Sequence, residues 1–345
     1  MMSYENNARV INDDIFDLVN QCFSQERSGR NIEGRVNFFD TYNNYFVLTD
    51  DGSYSINSKD SNLKIDMVEI SKATLACGLL VPSPIKEHDM TKKAIEDELI
   101  KQDYAALSLE TAEIPQNIDI NVFIEDARQT VQNLESNSYD AIFLDPFSQN
   151  MAPELFSLEF FKQFRRLIKD DGIVATYTSA APIRAAFIDA DFYIGLGPIF
   201  GRKQGGTLAS PNPLMLETSL PKNDEIRIAL SDVGIPFRDP NLNDSSDVIL
   251  QRRTDERHEA RHTTKISSAV KTPIFLGQEM DDEKLKRRVE RNLAKMNIPS
   301  TTSDEAYYIV EVENNYTEKQ DEKNNSRNRI LDMKKRLKKV KSGKL

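Results

Sequence analysis

Tyr139-Asp140-Ala141-Ile142-Phe143-Leu144-Asp145-Pro146-Phe147-Ser148 reads as a buried parallel strand that stops at an acid, a proline and an aromatic ring. Ala141 to Leu144 is an uninterrupted apolar run, as expected of a strand covered on both faces. Pro146 cannot donate to a sheet ladder, so the strand ends there. In open α/β sheets, ligands sit just beyond the carboxyl ends of the strands. A carboxylate in that place, beside a ring able to stack on a base, reads as a working surface.

The neighbouring segments supply the rest of a layered fold. Upstream, Leu63–Glu69 and Asp119–Asp126 read as strands that also end in acids, and Ala127 opens a helix. A charged segment over 88–110 is expected to be helical and could be a surface insertion. Downstream, apolar positions from Leu155 to Leu167 predict a helix over 153–169. Asp171-Gly172 then turns the chain into the strand Ile173–Thr178. A helix over 180–189 and a strand over 192–197 follow, leading to Phe200-Gly201-Arg202-Lys203. Strands alternating with helices over 60–200 specify a doubly wound α/β domain. Before it, residues 9–24 carry helical periodicity, and Thr49-Asp50-Asp51-Gly52 between two short apolar runs is a hairpin signal.

From about 220 the texture becomes charged and helix-like. The last 35 residues have few apolar side chains and are expected to be largely disordered, with some helix near the end. Three segments follow from this: 1–60, an N-terminal helix and β-hairpin; 61–255, a Rossmann-like domain; and 256–345, a charged helical extension with a basic disordered tail. Residues 334–345 hold seven Lys or Arg and no acid. That run reads as a solvated tail or as an electrostatic arm for a nucleic acid.

Charged residues make up 29% of the chain and the net charge is −10, which argues against a protein that coats nucleic acid indiscriminately and leaves room for a local basic patch. The two cysteines, Cys22 and Cys77, are too few for a disulfide framework and read as small buried hydrophobes. No apolar run approaches the roughly 20 residues needed to cross a bilayer, and no signal peptide is visible, so a cytoplasmic location and no membrane partner are expected. His258-Glu259-Ala260-Arg261-His262 has the HExxH spacing of zinc proteases. The surrounding arginines leave that helix no apolar wall, and no metal is expected.

Three strand-terminal acids, Glu69, Asp126 and Asp145, fall in an order that suits a nucleoside cofactor followed by a reacting substrate. With Pro153–Phe161, Gly172–Ser179, Phe200–Lys203, the Asp51–Tyr54 hairpin and Ile235–Leu242, the chain resembles the MnmC-like methyltransferase family over roughly 45–255. The likeness is to a stand-alone, archaeal-type form without the oxidase domain. Members methylate the 5-aminomethyl group of the tRNA wobble uridine, using S-adenosyl-L-methionine. The resemblance implies that Asp145 and Phe147 act on the target amine and its base. It implies that Glu69, Asp126 and Ala127 contact the cofactor, and that Pro146, Tyr177, Thr178, Arg202 and Lys203 contact the substrate tRNA.

One motif departs from the family. Its glycine-rich loop follows a first strand, and here only Asn57-Ser58-Lys59-Asp60-Ser61-Asn62 separates Ile56 from Leu63. A βα unit needs far more chain than that. Gly195, Gly197, Gly205 and Gly206 come too late to replace it. Two readings therefore stand: an active methyltransferase, or a non-catalytic tRNA-binding relative that has lost the cofactor loop.

Overall fold

A computed structural model of the chain describes residues 46–48, 54–56, 63–80, 87–105, 110–197, 205–268, 274–311 and 316–344. The helix expected over 9–24, the turn at 49–52 and Arg202 and Lys203 lie outside those residues. The chain divides into two compact units, Met1–Thr130 and Val131–Leu345.

In the first unit, β1 (Phe46–Leu48) and β2 (Tyr54–Ile56) pair antiparallel with Phe46 opposite Ile56, the register of the expected hairpin. β3 (Leu63–Val68) and β4 (Ile118–Phe123) pair parallel, Leu63 opposite Ile118 and Val68 opposite Phe123. Parallel neighbours require a long crossover, and here it contains α1 (Lys72–Leu79) and α2 (Glu87–Lys101). The Ser71 side chain caps α1 by accepting from the Thr74 amide at 3.1 Å. Leu75, Ile95 and Leu99 are buried, with Met67, Val122 and Ile124 packed against them. The charged segment over 88–110 is therefore not an insertion. Its helix carries the core of this unit, because its few apolar positions share one face. Cys77 corrects another expectation: it sits exposed on α1. α3 (Ala127–Asn133) follows β4.

The second unit holds a mixed sheet in the order β5-β6-β8-β7: β5 (Tyr139–Leu144), β6 (Ile168–Thr176), β7 (Tyr193–Leu196) and β8 (Thr207–Ser210). β5 and β6 are parallel, and β8 runs antiparallel to both β6 and β7. The predicted turn at Asp171-Gly172 is instead a bulge. Tyr139 pairs with Ile168 and Ala141 with Ile173, so extra residues loop out of a continuous strand. A side chain at Gly172 would meet the Asp140 carbonyl oxygen at 2.9 Å, so the bulge needs glycine. α4 (Leu158–Leu167) is capped by Ser157, whose hydroxyl accepts from the Phe160 amide at 3.2 Å. α5 (Ala181–Asp189) follows β6. Phe161 of α4 stacks on Phe187 of α5 at 4.0 Å, and Phe192 meets Phe187 edge-on at 5.6 Å. This aromatic seam fixes the helices on the sheet. Together these elements make an α/β, Rossmann-like methyltransferase architecture with a hairpin before it and a helical extension after it.

That extension comprises α6 (Lys222–Leu230), α7 (Ser246–Ala260), α8 (Glu283–Ala294), α9 (Asp304–Val310) and α10 (Ser326–Lys341). The tail expected to be disordered is the ordered helix α10. Its Ile330, Met333, Leu337 and Val340 are all buried, a helical stripe that the surrounding lysines hide from any compositional measure. Arg329 grips Glu225 of α6 with two bonds, Nε at 2.9 Å and Nη2 at 2.6 Å, and both side chains are buried. The Ile235–Leu242 segment is tied to the start of α4: the Leu158 amide donates to the Phe237 carbonyl at 3.0 Å, and the Asp239 amide to Glu159 at 2.8 Å. No described helix is long and apolar enough to cross a membrane.

Candidate functional site

The carboxyl end of β5 and β6 gathers most of the residues singled out in the second unit. Leu144 pairs with Thr176, so Asp145 and Tyr177 leave the sheet side by side. Strand alternation puts Phe143 and Asp145 on one face while Leu144 is buried on the other. Phe143, Phe147 and Met151 are 75%, 78% and 71% exposed, a group of large apolar side chains open to solvent around an acid. Asp145 is exposed, and its carboxylate makes no hydrogen bond or ion pair among the described residues. Pro146 is half-buried. The Tyr177 hydroxyl donates to the Phe147 carbonyl at 3.2 Å and braces the turn. Two polar atoms of these segments, Gln149 Oε1 and Thr176 Oγ1, are buried without a partner among the described residues, and Thr176, in register with Leu144, faces the side of the sheet away from Asp145. Buried acceptors left without donors carry a desolvation cost.

Thr178 helps hold the scaffold behind this tip. Its hydroxyl accepts from the Ala180 amide at 3.2 Å, and its carbonyl accepts from the Thr207 hydroxyl at 2.7 Å. The organising side chain is Arg184, 1% exposed on α5. Its Nε donates to Thr207 at 2.9 Å, Nη2 to the Gly206 carbonyl at 3.1 Å and Nη1 to Asp224 at 2.7 Å. Burial pulls the guanidinium below the usual arginine value, and Asp224 partly offsets that pull. A side chain at Gly206 would lie 2.2 Å from the Thr176 carbonyl oxygen, so glycine there lets β8 approach β6, and Gly205 does the same against Gly197. Sequence reasoning missed Arg184. The signal was there: one charge inside Pro182–Ile188, a run that is otherwise apolar, demands buried partners.

In the first unit, Glu69 and Asp126 stand at the same end of the β3–β4 pair, and the Glu69 amide donates to the Phe123 carbonyl at 3.0 Å. Glu69 Oε1 accepts from the Ser71 amide at 2.8 Å. Asp126 is more committed. It accepts from the Arg128 amide at 2.9 Å and from that guanidinium at 2.7 Å. Burial pushes its carboxyl up, but the bonds from Arg128 outweigh it and hold the group below the usual carboxylate value. Asp126 is thus ionised, and as the residue before α3 it doubles as a cap. Ala127 is half-buried at the start of α3.

The HExxH spacing does not lie on one helix. α7 ends at Ala260, and His262 sits beyond it with a left-handed backbone, φ 61°. Its Nε2 is 3.5 Å from Lys295 Nζ. Burial, then Lys295, Lys341 and Arg261, lower its pKa. Among the described residues no group of three His, Cys, Asp or Glu is arranged to hold a metal ion. Two shallow concavities, of about 420 and about 360 Å³, lie along α7 and away from Asp145.

Comparison with known proteins bears on this end of the sheet. Residues 87–212 match the family described as S-adenosyl-L-methionine-dependent methyltransferase. An uncharacterized protein of Methanocaldococcus jannaschii is 31% identical over 232 residues, 67% of this chain and 63% of that protein. The tRNA 5-methylaminomethyl-2-thiouridine biosynthesis bifunctional protein MnmC of Ralstonia nicotianae is 33% identical over 93 residues, 27% of this chain and 14% of its own. The chain therefore aligns with less than two thirds of either relative. The crystal structure of MnmC2 from Aquifex aeolicus covers 71% of this chain and 99% of its own, at 18% identity and a TM-score of 0.44.

Proposed function

Taking the chain as a distant, partial-length relative of S-adenosyl-L-methionine-dependent methyltransferases of the MnmC kind, we propose that it methylates the 5-aminomethyl nitrogen of a tRNA wobble uridine. The observation that carries this reading is the exposed Asp145-Pro146-Phe147 tip, at the carboxyl end of a sheet strand and inside the matched span. An acid free of protein partners can accept from a bound amine, and the ring beside it can stack on a base.

The donor set suits an adenosyl cofactor. Glu69 and Asp126 are carboxylates at strand ends, able to accept from ribose hydroxyls and from an amino group. When bound, S-adenosyl-L-methionine would supply an electrophilic sulfonium methyl group. The remaining work falls to the chain. The amine must arrive unprotonated with its lone pair aimed, and Asp145 accepts its N–H hydrogens; the methylated nitrogen leaves as an ammonium whose extra proton is lost to solvent. Phe147 stacks on the extruded base, with Pro146, Tyr177 and Thr178 fixing the tip. Arg202 and Lys203 are assigned to the tRNA backbone.

A specific sequence feature favours the second reading, a tRNA-binding relative without activity: residues 57–62 leave no space for the glycine-rich loop. Calorimetric titration with S-adenosylhomocysteine, combined with transfer of labelled methyl to tRNA bearing 5-aminomethyluridine, separates the two. Cofactor heat and labelled tRNA are the expected results. A folded sample that binds tRNA but gives neither heat nor label would overturn the enzyme reading.

A further inference from the structure

Far along the chain from Asp145, two helices of the second unit present unneutralised positive charge. The exposed cations of α8 are Lys284, Arg287, Arg288 and Arg291, joined by Lys295 at its cap and recurring every three or four residues so that they form one stripe, with Glu283 the exposed acid at the helix start. On α10 the exposed stripe is Lys335, Lys338 and Lys339. None of these cations forms an ion pair with a carboxylate among the described residues. Segments 284–295 and 333–345 carry net charges of +5 and +7 in a chain whose total is −10.

The two stripes meet at one corner. Lys341 Nζ donates to the Lys295 carbonyl at 2.8 Å and to the His262 carbonyl at 2.9 Å, and Asn297 donates to the Lys341 carbonyl at 2.8 Å. Like charges three or four residues apart destabilise a helix. Here they recur on two helices, held in place by buried apolar seams beneath them. A solvated face would mix signs and relieve the repulsion.

We propose that the α8–α10 surface is a docking platform for the phosphate backbone of a folded RNA. The proposal draws on the tRNA reading only for the identity of the polyanion. Neither stripe carries a large exposed apolar side chain, which removes the wedge needed to enter a lipid surface and the anchor typical of a protein partner. Arginine forks and lysines at helical spacing suit phosphate oxygens. Lys295 and Lys341, after burial, contribute to the lowered His262 pKa at this corner.

The test compares wild type with two triple variants, Arg287→Gln/Arg288→Gln/Arg291→Gln and Lys335→Gln/Lys338→Gln/Lys339→Gln, using anisotropy of fluorescent tRNA over a potassium chloride series. Each variant is expected to weaken binding at least about tenfold. Each should also lower the steepness of log K against log salt by about 2–3, at roughly 0.7–0.9 per phosphate contact. Thermal midpoints should hold or rise, since repulsion is relieved. Wild-type affinity and slope in both variants would overturn the proposal, as would binding of phosphatidylserine vesicles in place of tRNA. Methyl transfer keeps the two readings apart. Weakened binding in the variants with no methylation by any form sinks the reaction and leaves the platform. Methylation with wild-type KM in both variants sinks the platform and leaves the reaction.

Discussion

Asp145 owes its assignment to what it lacks. Most acids at the ends of these strands are occupied, Asp126 by Arg128 and Glu69 in part by Ser71, whereas Asp145 is exposed and accepts nothing among the described residues. Asp145→Ala is therefore expected to lower methyl transfer by about two orders of magnitude or more while the affinity for S-adenosylhomocysteine stays at the wild-type level. Loss of both together would show the carboxylate to be structural. A different residue makes the fold respond to alkaline pH. Lys265 is buried and donates to the Ala229 carbonyl at 2.6 Å; burial, aided by Lys334, brings its pKa from 10.5 down to about 7. Between those values the unfolded chain holds more protons than the native one, so stability rises with pH. Its cost is complete below about pH 7 and fades towards pH 10.5. In urea denaturation Lys265→Met should show its greatest relative stability near neutrality and lose that advantage as the solution becomes alkaline; a gap independent of pH would contradict the assignment. The acids at strand ends were legible because a strand's polarity puts its last residue at the working end. Arg184 was legible too, as a lone charge in an apolar run, but its partners were not, and neither was the exposure of Cys77, since both depend on what lies across from them.

At the scale of elements, apolar periodicity revealed β3, β5, α4 and α5 because each hides a face. It failed where charge dominated the count. α2 and α10 each look polar by composition, and each buries a narrow stripe: Ala94, Ile95 and Leu99 in one, Ile330, Met333, Leu337 and Val340 in the other. The attachment of α10 also uses an ion pair that no linear pattern displays, Arg329 with Glu225, 104 residues apart. Burial raises the Glu225 pKa, and Arg329 opposes that shift. Arg329→Ala would strand a buried carboxylate and is expected to cost about 3–5 kcal/mol in urea denaturation, whereas Arg329→Met combined with Glu225→Leu should recover most of the loss. Equal damage from the single and double changes would mean that packing, not the pair, holds the helix.

For the whole molecule, charge is partitioned rather than averaged. A net −10 protein carries stripes of unpaired cations on two helices, and its proposed reacting tip on a strand end. Binding of tRNA should accordingly fall steeply with salt while binding of S-adenosylhomocysteine changes little, a contrast that parallel titrations would expose. Parallel loss of both affinities with salt would instead indicate a general weakening of the fold. The long span between Glu225 and Arg329 bears on synthesis as well. A ribosome adding about 5–20 residues per second makes the glutamate some 5–20 seconds before its arginine. During that interval α6 has emerged with an apolar flank open and a carboxylate awaiting its counter-ion. Until α10 emerges the nascent chain is expected to need protection of that flank, and a product truncated before Ser326 is expected to be the less stable form.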